Sequence, residues 1–313
     1  MGIHDTMTSE ERLAALRKGS TVDRVPFLSF ILGFCARNVG YPVASVYSDP
    51  ERSLQAQLWT REQYGYDSDP FFGYASYGGC EFGGEINLPD GQYQQAPSHG
   101  RFAVETERDI ERLHLPDART AGMLPVAMRF SQLQVERGIT PSLVVGGPFT
   151  VAGNICIVQT LCRWSIRKPE LVHRLLRLVT DHLVDVVGLW VDTFGAGRVN
   201  IQVWEPLASN QIISPRQFEQ LVLPYHIEFH EKILALEHYA DRCGLPRAMG
   251  MIGGSCELCS VCKAVTKEPC PYPVKARMSL ESIAIDVIGL LDHLGLESEF
   301  RPDRIKWTGC MLF

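Results

Sequence analysis

Apolar positions along this chain alternate between helical and strand spacing. Thr8 and Glu11 stand at capping-box spacing, and Leu13, Ala14 and Leu16 form one face, predicting a helix that ends at Gly19. Arg24-Val25-Pro26-Phe27-Leu28-Ser29-Phe30 reads instead as a short buried strand, with Pro26 confined to its start or to an edge. Ser48 or Asp49 caps a second helix with Pro50 in its first turn and Leu54, Leu58 and Trp59 on its face. Residues 67–88 are aromatic and Gly-rich, a pattern that reads as strand plus irregular loop shaping a pocket, or as a β-hairpin capping the core. Helices are predicted over 106–113 and 121–137. Residues 142–150 read as a continuously apolar strand running into Gly146-Gly147-Pro148, as a strand buried on both faces requires.

The longest helical pattern spans 169–194, with Leu171, Leu175, Leu178, Leu183, Val187 and Trp190 as its stripe and Gly195 and Gly197 at its end. A strand over 199–204 follows and ends at Glu205-Pro206; Ser214-Pro215 then opens another helix. His226 and His230 lie four apart on that helix. Glu228, Glu231 and Lys232 beside them point to a solvated surface, and the H-E-x-x-H metal pattern is absent. Strands alternating with helices imply an α/β fold with a parallel sheet, of the kind that closes a (β/α) barrel or part of one. Beyond residue 243 the style changes. A short apolar stretch over 246–252 precedes a Cys-rich run, a helix is predicted from Ser279 or Leu280 to Leu294, and a terminal strand over 305–313.

That run carries the densest chemistry. Cys256, Cys259 and Cys262 are three residues apart, and Cys270 follows between Pro269 and Pro271. Three thiolates at this spacing converge on one side of a tight loop, and a fourth completes four-coordination. This is the ligand set of a 4Fe–4S cluster, with zinc as the alternative. Cys243 or Cys310 could stand in for Cys270 as fourth ligand. Cys35, Cys80, Cys156 and Cys162 sit among apolar neighbours and read as small buried hydrophobes.

Length, charge and leader patterns narrow the setting. With 313 residues the chain has room for one large or two ordinary domains. A net charge of −6 argues against a nucleic-acid surface, and no apolar run approaches the roughly 18 residues of a membrane helix. The start lacks the pattern of a secretory signal, so a cytoplasmic, reducing compartment is expected, where clustered cysteines serve metals more often than disulfides.

Arg24-Val25-Pro26, residues 146–154, Glu205-Pro206-x-Ala208-Ser209-Asn210, Ile213-Ser214-Pro215-x-x-Phe218 and Leu223-Pro224-Tyr225 together resemble the uroporphyrinogen decarboxylase superfamily over about 8–234. The resemblance implies a partial TIM-type barrel over 1–234 with its site at the C-terminal ends of the strands. That superfamily holds the decarboxylase and corrinoid-dependent methyltransferases. The decarboxylase's Arg-rich segment after the first strand is missing here, where only Arg37 stands in F-L-S-F-I-L-G-F-C-A-R. A substrate with many carboxylates needs more cations, so the methyltransferase branch fits better. Coenzyme-M-type methyltransferases of this superfamily use a His-x-Cys zinc motif, which occurs nowhere in this chain. Residues 235–313 resemble the C-terminal part of a small uncharacterised family described as predicted metal-binding, through Gly253-Gly254, the Cys run, Lys275-Ala276-Arg277, Ile285-Asp286-Val287 and Trp307-Thr308-Gly309.

The resemblance implies an enzyme of corrinoid-linked one-carbon metabolism, moving a methyl group between a cobamide on a partner corrinoid protein and a small-molecule donor or acceptor. Glu205, at a strand end, is the candidate for polar anchoring or acid–base work; its alternative is a structural carboxylate accepting backbone N–H groups at the next turn. Asn154, Ser209 and Asn210 are candidates for binding substrate, and Tyr74 and Tyr77 for walling the pocket. Competing readings are an Fe–S electron-transfer or corrinoid-reactivating protein, a decarboxylase of the parent type, and an inactive fusion remnant. A barrel stopping half-way leaves strand edges open, which dimerisation or the tail would cover.

Overall fold

The computed structural model of the chain describes residues 5–236 apart from 18–19, 25, 91–95 and 210–211. The Cys run, Asn210 and nearly all of 235–313 lie outside the described residues.

The first helix forms as expected. In α1 (Ser9–Arg17), Thr8 N donates to the Glu11 carboxylate at 2.8 Å, and Glu11 N donates back to the Thr8 hydroxyl at 3.2 Å. The next segment departs from its expectation. Residues 26–30 are extended but form no ladder. The Phe27 N–H donates to the Asp67 carboxylate at 2.8 Å and the Ser29 N–H to the Ser68 hydroxyl at 3.1 Å, so side chains take the donors that a strand partner would use. Two buried arginines tie the same place together. Arg12 donates to Asp23 at 2.6 Å, Arg24 donates to Asp67 at 2.6 Å, and Arg12 also pairs with Asp67.

Two short helices, α2 (Leu32–Asn38) and α3 (Ser45–Ser48), lead to α4 (Pro50–Tyr64). Asp49 caps α4 by accepting from Arg52 N at 3.0 Å, and Gly65 ends it at φ +64°, where a side chain would be strained. Residues 71–84 are irregular, as the glycines demand. They run into β1 (Glu85–Asn87), which pairs antiparallel with β2 (Ser98–Arg101) from outside the segment, so the reading of 67–88 as strand plus irregular loop holds, and the segment forms no core-capping hairpin of its own.

After α5 (Glu107–Arg112) and α6 (Leu124–Glu136) the chain enters the unit that carries the site. Strand β3 (Ser142–Gly146) is followed by α7 (Pro148–Ile155), α8 (Val158–Arg167), α9 (Pro169–Phe194) and β4 (Asn200–Trp204). The two strands are parallel, in register from Ser142 opposite Asn200 to Gly146 opposite Trp204. Leu143, Val145, Ile201 and Val203 face the helices and are buried, whereas Val144, Gln202 and Trp204, on the other face, are half-buried. Helix α9 fills the layer behind with Leu175, Leu183, Val187 and Trp190, none of them exposed. The Trp190 indole donates to the Ser131 hydroxyl at 2.9 Å, which donates at 2.9 Å to the Ser142 carbonyl, so the largest core side chain also anchors the start of β3.

Past β4 come a 3-10 turn (Pro206–Ala208), the one-turn helix α10 (Pro215–Gln217), a π-helical segment (Phe218–Val222) and α11 (Leu223–Ala235). Ser214 and Gln217 form the cap that the sequence predicts. Among the described residues, no helix is long and apolar enough to cross a membrane, and the four cysteines are free, Cys35 and Cys156 buried, Cys80 and Cys162 half-buried.

Candidate functional site at the ends of the parallel strands

Strand β3 leaves the sheet through Gly146 and Gly147, whose amide donates to the Trp204 carbonyl at 2.6 Å. A Cβ on Gly147 would lie 2.4 Å from the Glu205 carboxylate, so only glycine permits this approach. Pro148 then starts α7 and leaves the amides of its first turn unpaired within the helix. Glu205 fills that end. It continues the buried register of Ile201 and Val203, is fully buried, and accepts from Phe149 N at 2.9 Å and Thr150 N at 2.6 Å. The Thr150 hydroxyl donates to the same oxygen as the Thr150 amide and accepts from Leu207 N at 3.1 Å, which locks the turn after β4. The second oxygen of Glu205 lies 2.9 Å from His226 Nε2. Four donors therefore serve two oxygens, and the positive end of α7 adds to their field.

His226 and His230 depart from the sequence expectation of a solvated surface: they are 1% and 2% exposed. The reason is the helical stripe they share with Val222, Phe229 and Ile233, all buried, while Glu228 and Lys232 pair outward with Arg177 and Asp181 of α9. The two imidazoles stack with centroids 5.8 Å apart. His230 Nδ1 lies 2.7 Å from the His226 carbonyl and so donates to it. Opposite a carboxylate, which when ionised only accepts, a neutral His226 ring places its proton on Nε2 and its lone pair on Nδ1. Nδ1 is buried and has no hydrogen-bond partner among the described residues; the same holds for the hydroxyl of Ser209.

One helical turn beyond Thr150, Asn154 holds a second cluster. Its amide donates to the carbonyls of Ala75 and Tyr77, at 2.8 Å each, and fixes the Gly-rich segment against α7. The Tyr77 hydroxyl lies 3.2 Å from His182 Nε2, and the Tyr74 hydroxyl donates to Glu81. Burial pushes both phenols well above their ordinary range and pulls His182 down to about 4, so all three are neutral near pH 7. Burial, with Glu81 beside it, lifts the Cys80 thiol to about 12. Tyr74 and Tyr77 are in mutual ring contact at 5.9 Å. Thus Glu205 is brought together with Thr150 and His226, and Asn154 with Tyr77 and, through it, Tyr74. Asn210, Cys256, Cys259, Cys262 and Cys270 lie outside the described residues. Sequence reasoning missed Thr150, Glu81 and His182. His226 was legible from its spacing to Phe229, His230 and Ile233, a three-four pattern that marks an inward face.

On the opposite face of β4, Trp204 meets Phe30 at 4.8 Å and Phe71 at 6.5 Å between centroids, and Phe30 stacks on Phe71 at 4.9 Å. Aromatic rings thus stand where the extended segments and β4 end. Among the described residues, no three His, Cys, Asp or Glu side chains converge as a metal site.

The chain is similar to the methylcobamide:CoM methyltransferase MtaA of Methanosarcina barkeri, 24% identical over 222 residues, covering 69% of this chain and 63% of that protein. It is also similar to the uroporphyrinogen decarboxylase of Ovis aries, 24% identical over 199 residues, 61% of this chain and 52% of that protein. The chain therefore spans roughly half to two thirds of the length of these relatives. Among solved structures, a methyltransferase from Methanosarcina mazei shares its fold with a TM-score of 0.58 at 24% identity, over 73% of this chain and 68% of the other. Residues 213–313 match the family described as Predicted metal-binding protein (DUF2284). Residues 8–246 match the family described as Uroporphyrinogen decarboxylase (URO-D), and because that match spans more than half of the chain, the protein belongs to this family.

Proposed function

We propose that the chain is a methyltransferase-like protein of corrinoid-linked one-carbon metabolism, acting in the cytoplasm on a partial TIM-type barrel over 1–234 joined to a Cys-rich module over 235–313. The observation that carries the reading is the Glu205–Thr150–His226 cluster at the C-terminal ends of β3 and β4, the face where barrel enzymes place chemistry. Similarity to a methylcobamide:CoM methyltransferase supports the choice of chemistry. Glu205 anchors α7 and orients His226; Asn154, Ser209 and Asn210 contribute polar contacts to substrate, and Tyr74 and Tyr77 form the wall behind them. The cobamide is a substrate presented by a corrinoid protein and supplies or takes the methyl group. The test is transfer from methylcobalamin to thiol or hydroxyl acceptors by the full chain, followed by the visible spectrum of the cobalamin. No transfer to any acceptor removes this reading.

A second reading rests on Cys256, Cys259, Cys262 and Cys270 and on the match of 213–313 to a predicted metal-binding family. Four thiolates at this spacing would hold a 4Fe–4S cluster, or zinc, and a cluster there would pass single electrons to an oxidised corrinoid. Anaerobic purification with iron, sulfide and zinc analysis tests it. About four irons per chain and a band near roughly 400 nm that dithionite bleaches support the cluster; zinc with no iron removes the electron-carrying role.

A further inference from the structure

We infer that His226, held by Glu205, is the proton acceptor that activates the methyl acceptor's thiol or hydroxyl in this chain. The inference rests on the methyltransferase reading and deepens it. Methyl transfer to sulfur or oxygen needs the acceptor as its anion, and an ordinary thiol ionises only near about pH 8.5. The zinc site of coenzyme-M-type relatives, which could do this, does not fit here: His-x-Cys is absent from all 313 residues, and no three metal-binding side chains converge among the described ones. A side-chain base held close to the acceptor can take that proton.

His226 has the geometry of one. Its Nε2 donates to a carboxylate at 2.9 Å that three further donors hold in place, which sets both tautomer and ring orientation. The opposite nitrogen, Nδ1, is buried without a partner among the described residues. When Nδ1 takes a proton, the imidazolium faces Glu205, whose charge stabilises it. Among the described residues, the titratable groups at the ring are Glu205 and His230. From α9, Arg177 and Asp181 are paired with Glu228 and Lys232, and His173 lies 2.9 Å from the Tyr225 hydroxyl. In the step itself the acceptor's S–H bond breaks, the proton goes to Nδ1 and the electron pair stays on sulfur. The thiolate then attacks the methyl carbon as the C–S bond forms, and the pair of the broken cobalt–carbon bond remains on cobalt, reducing it from Co(III) to Co(I).

The experiment uses the full chain with methylcobalamin and 2-mercaptoethanol, from pH 6.5 to above about pH 9.5, where the thiol is ionised without help. His226→Gln is expected to lose about 100-fold or more at neutral pH, the usual range for a general base, and to recover most of that loss at the alkaline end. A purely structural histidine predicts a loss that does not depend on pH, and that result overturns the inference, as does an undiminished neutral rate. In the unsubstituted protein labelled with 15N-histidine, His226 is expected to carry its proton on Nε2; a proton on Nδ1 with Nε2 bare overturns the inference even if the variant fails to fold. Absence of transfer by the unsubstituted chain at every pH overturns the methyltransferase reading itself, whereas transfer that His226→Gln leaves undiminished at neutral pH overturns the inference alone.

Discussion

Glu205→Gln probes how the end of α7 is held. The side chain keeps its shape, but one acceptor oxygen becomes an amide that only donates. One oxygen of Glu205 accepts from Thr150 N and the Thr150 hydroxyl; the other accepts from Phe149 N and His226 Nε2. The Thr150 hydroxyl can rotate and His226 can exchange tautomer, so either can accept from the new amide. The two backbone N–H groups cannot. Whichever way the amide faces, one buried backbone donor confronts another donor, at a cost of about 1–3 kcal/mol. Loss of the anion from the helix N-terminus adds about 0.3–2 kcal/mol. The variant should therefore be roughly 2–4 kcal/mol less stable, which at a urea slope of about 2–3 kcal/mol per M moves the midpoint down by about 1 M with the slope unchanged. Urea unfolding followed by tryptophan emission measures this. A midpoint within about 0.2 M of the parent's would mean that the carboxylate is not the group that satisfies α7, and the account of the cluster would fall.

Four further outcomes are expected. Gly147→Ala sets a methyl 2.4 Å from the Glu205 carboxylate and should cost about 1–3 kcal/mol by overpacking, read as a lower urea midpoint. Asp67→Asn leaves Arg12 and Arg24 buried with less counter-charge, and about 3–5 kcal/mol of stability should go; a loss under about 1 kcal/mol would mark the network as dispensable. Burial holds His182 at about 4, below its ordinary 6.5, so the unfolded chain binds its proton first. Stability should accordingly fall as pH drops from about 6.5 to about 4, by roughly 3 kcal/mol from this residue, and His182→Gln should flatten that slope in urea titrations at each pH. Below about pH 4 a second loss is expected as Asp23, which Arg12 holds below the usual carboxylate range, takes up its proton.

Much of the fold was legible in local pattern. The helix over 169–194 needed only its apolar stripe, its opening proline and its closing glycine, and it forms with those bounds. The strand before Glu205 announced itself by length and apolarity, whereas the strand read over 142–150 forms only as Ser142–Gly146, because Pro148 opens α7 in place of its second half. The expected strand at 24–30 was not recoverable in that way. Whether an apolar stretch joins a ladder depends on what lies beside it, and here Asp67 and Ser68, some forty residues away, supply acceptors in place of a strand. His226 and His230 were misplaced because charged neighbours at positions 228, 231 and 232 outweighed the inward spacing of Phe229 and Ile233.

The chain's own order of residues determined where α1, α4 and α9 begin, which positions are apolar, and that a carboxylate stands at the end of a strand. Those properties are set within a few residues by capping, periodicity and backbone freedom. Only tertiary structure decided what that carboxylate does. It brings the first turn of α7, fifty-odd residues upstream, and a histidine in the first turn of α11, downstream, onto the same two oxygens. Hydrogen bonds between distant segments depend on how parallel strands and their covering helices pack, and no window of local sequence contains that information.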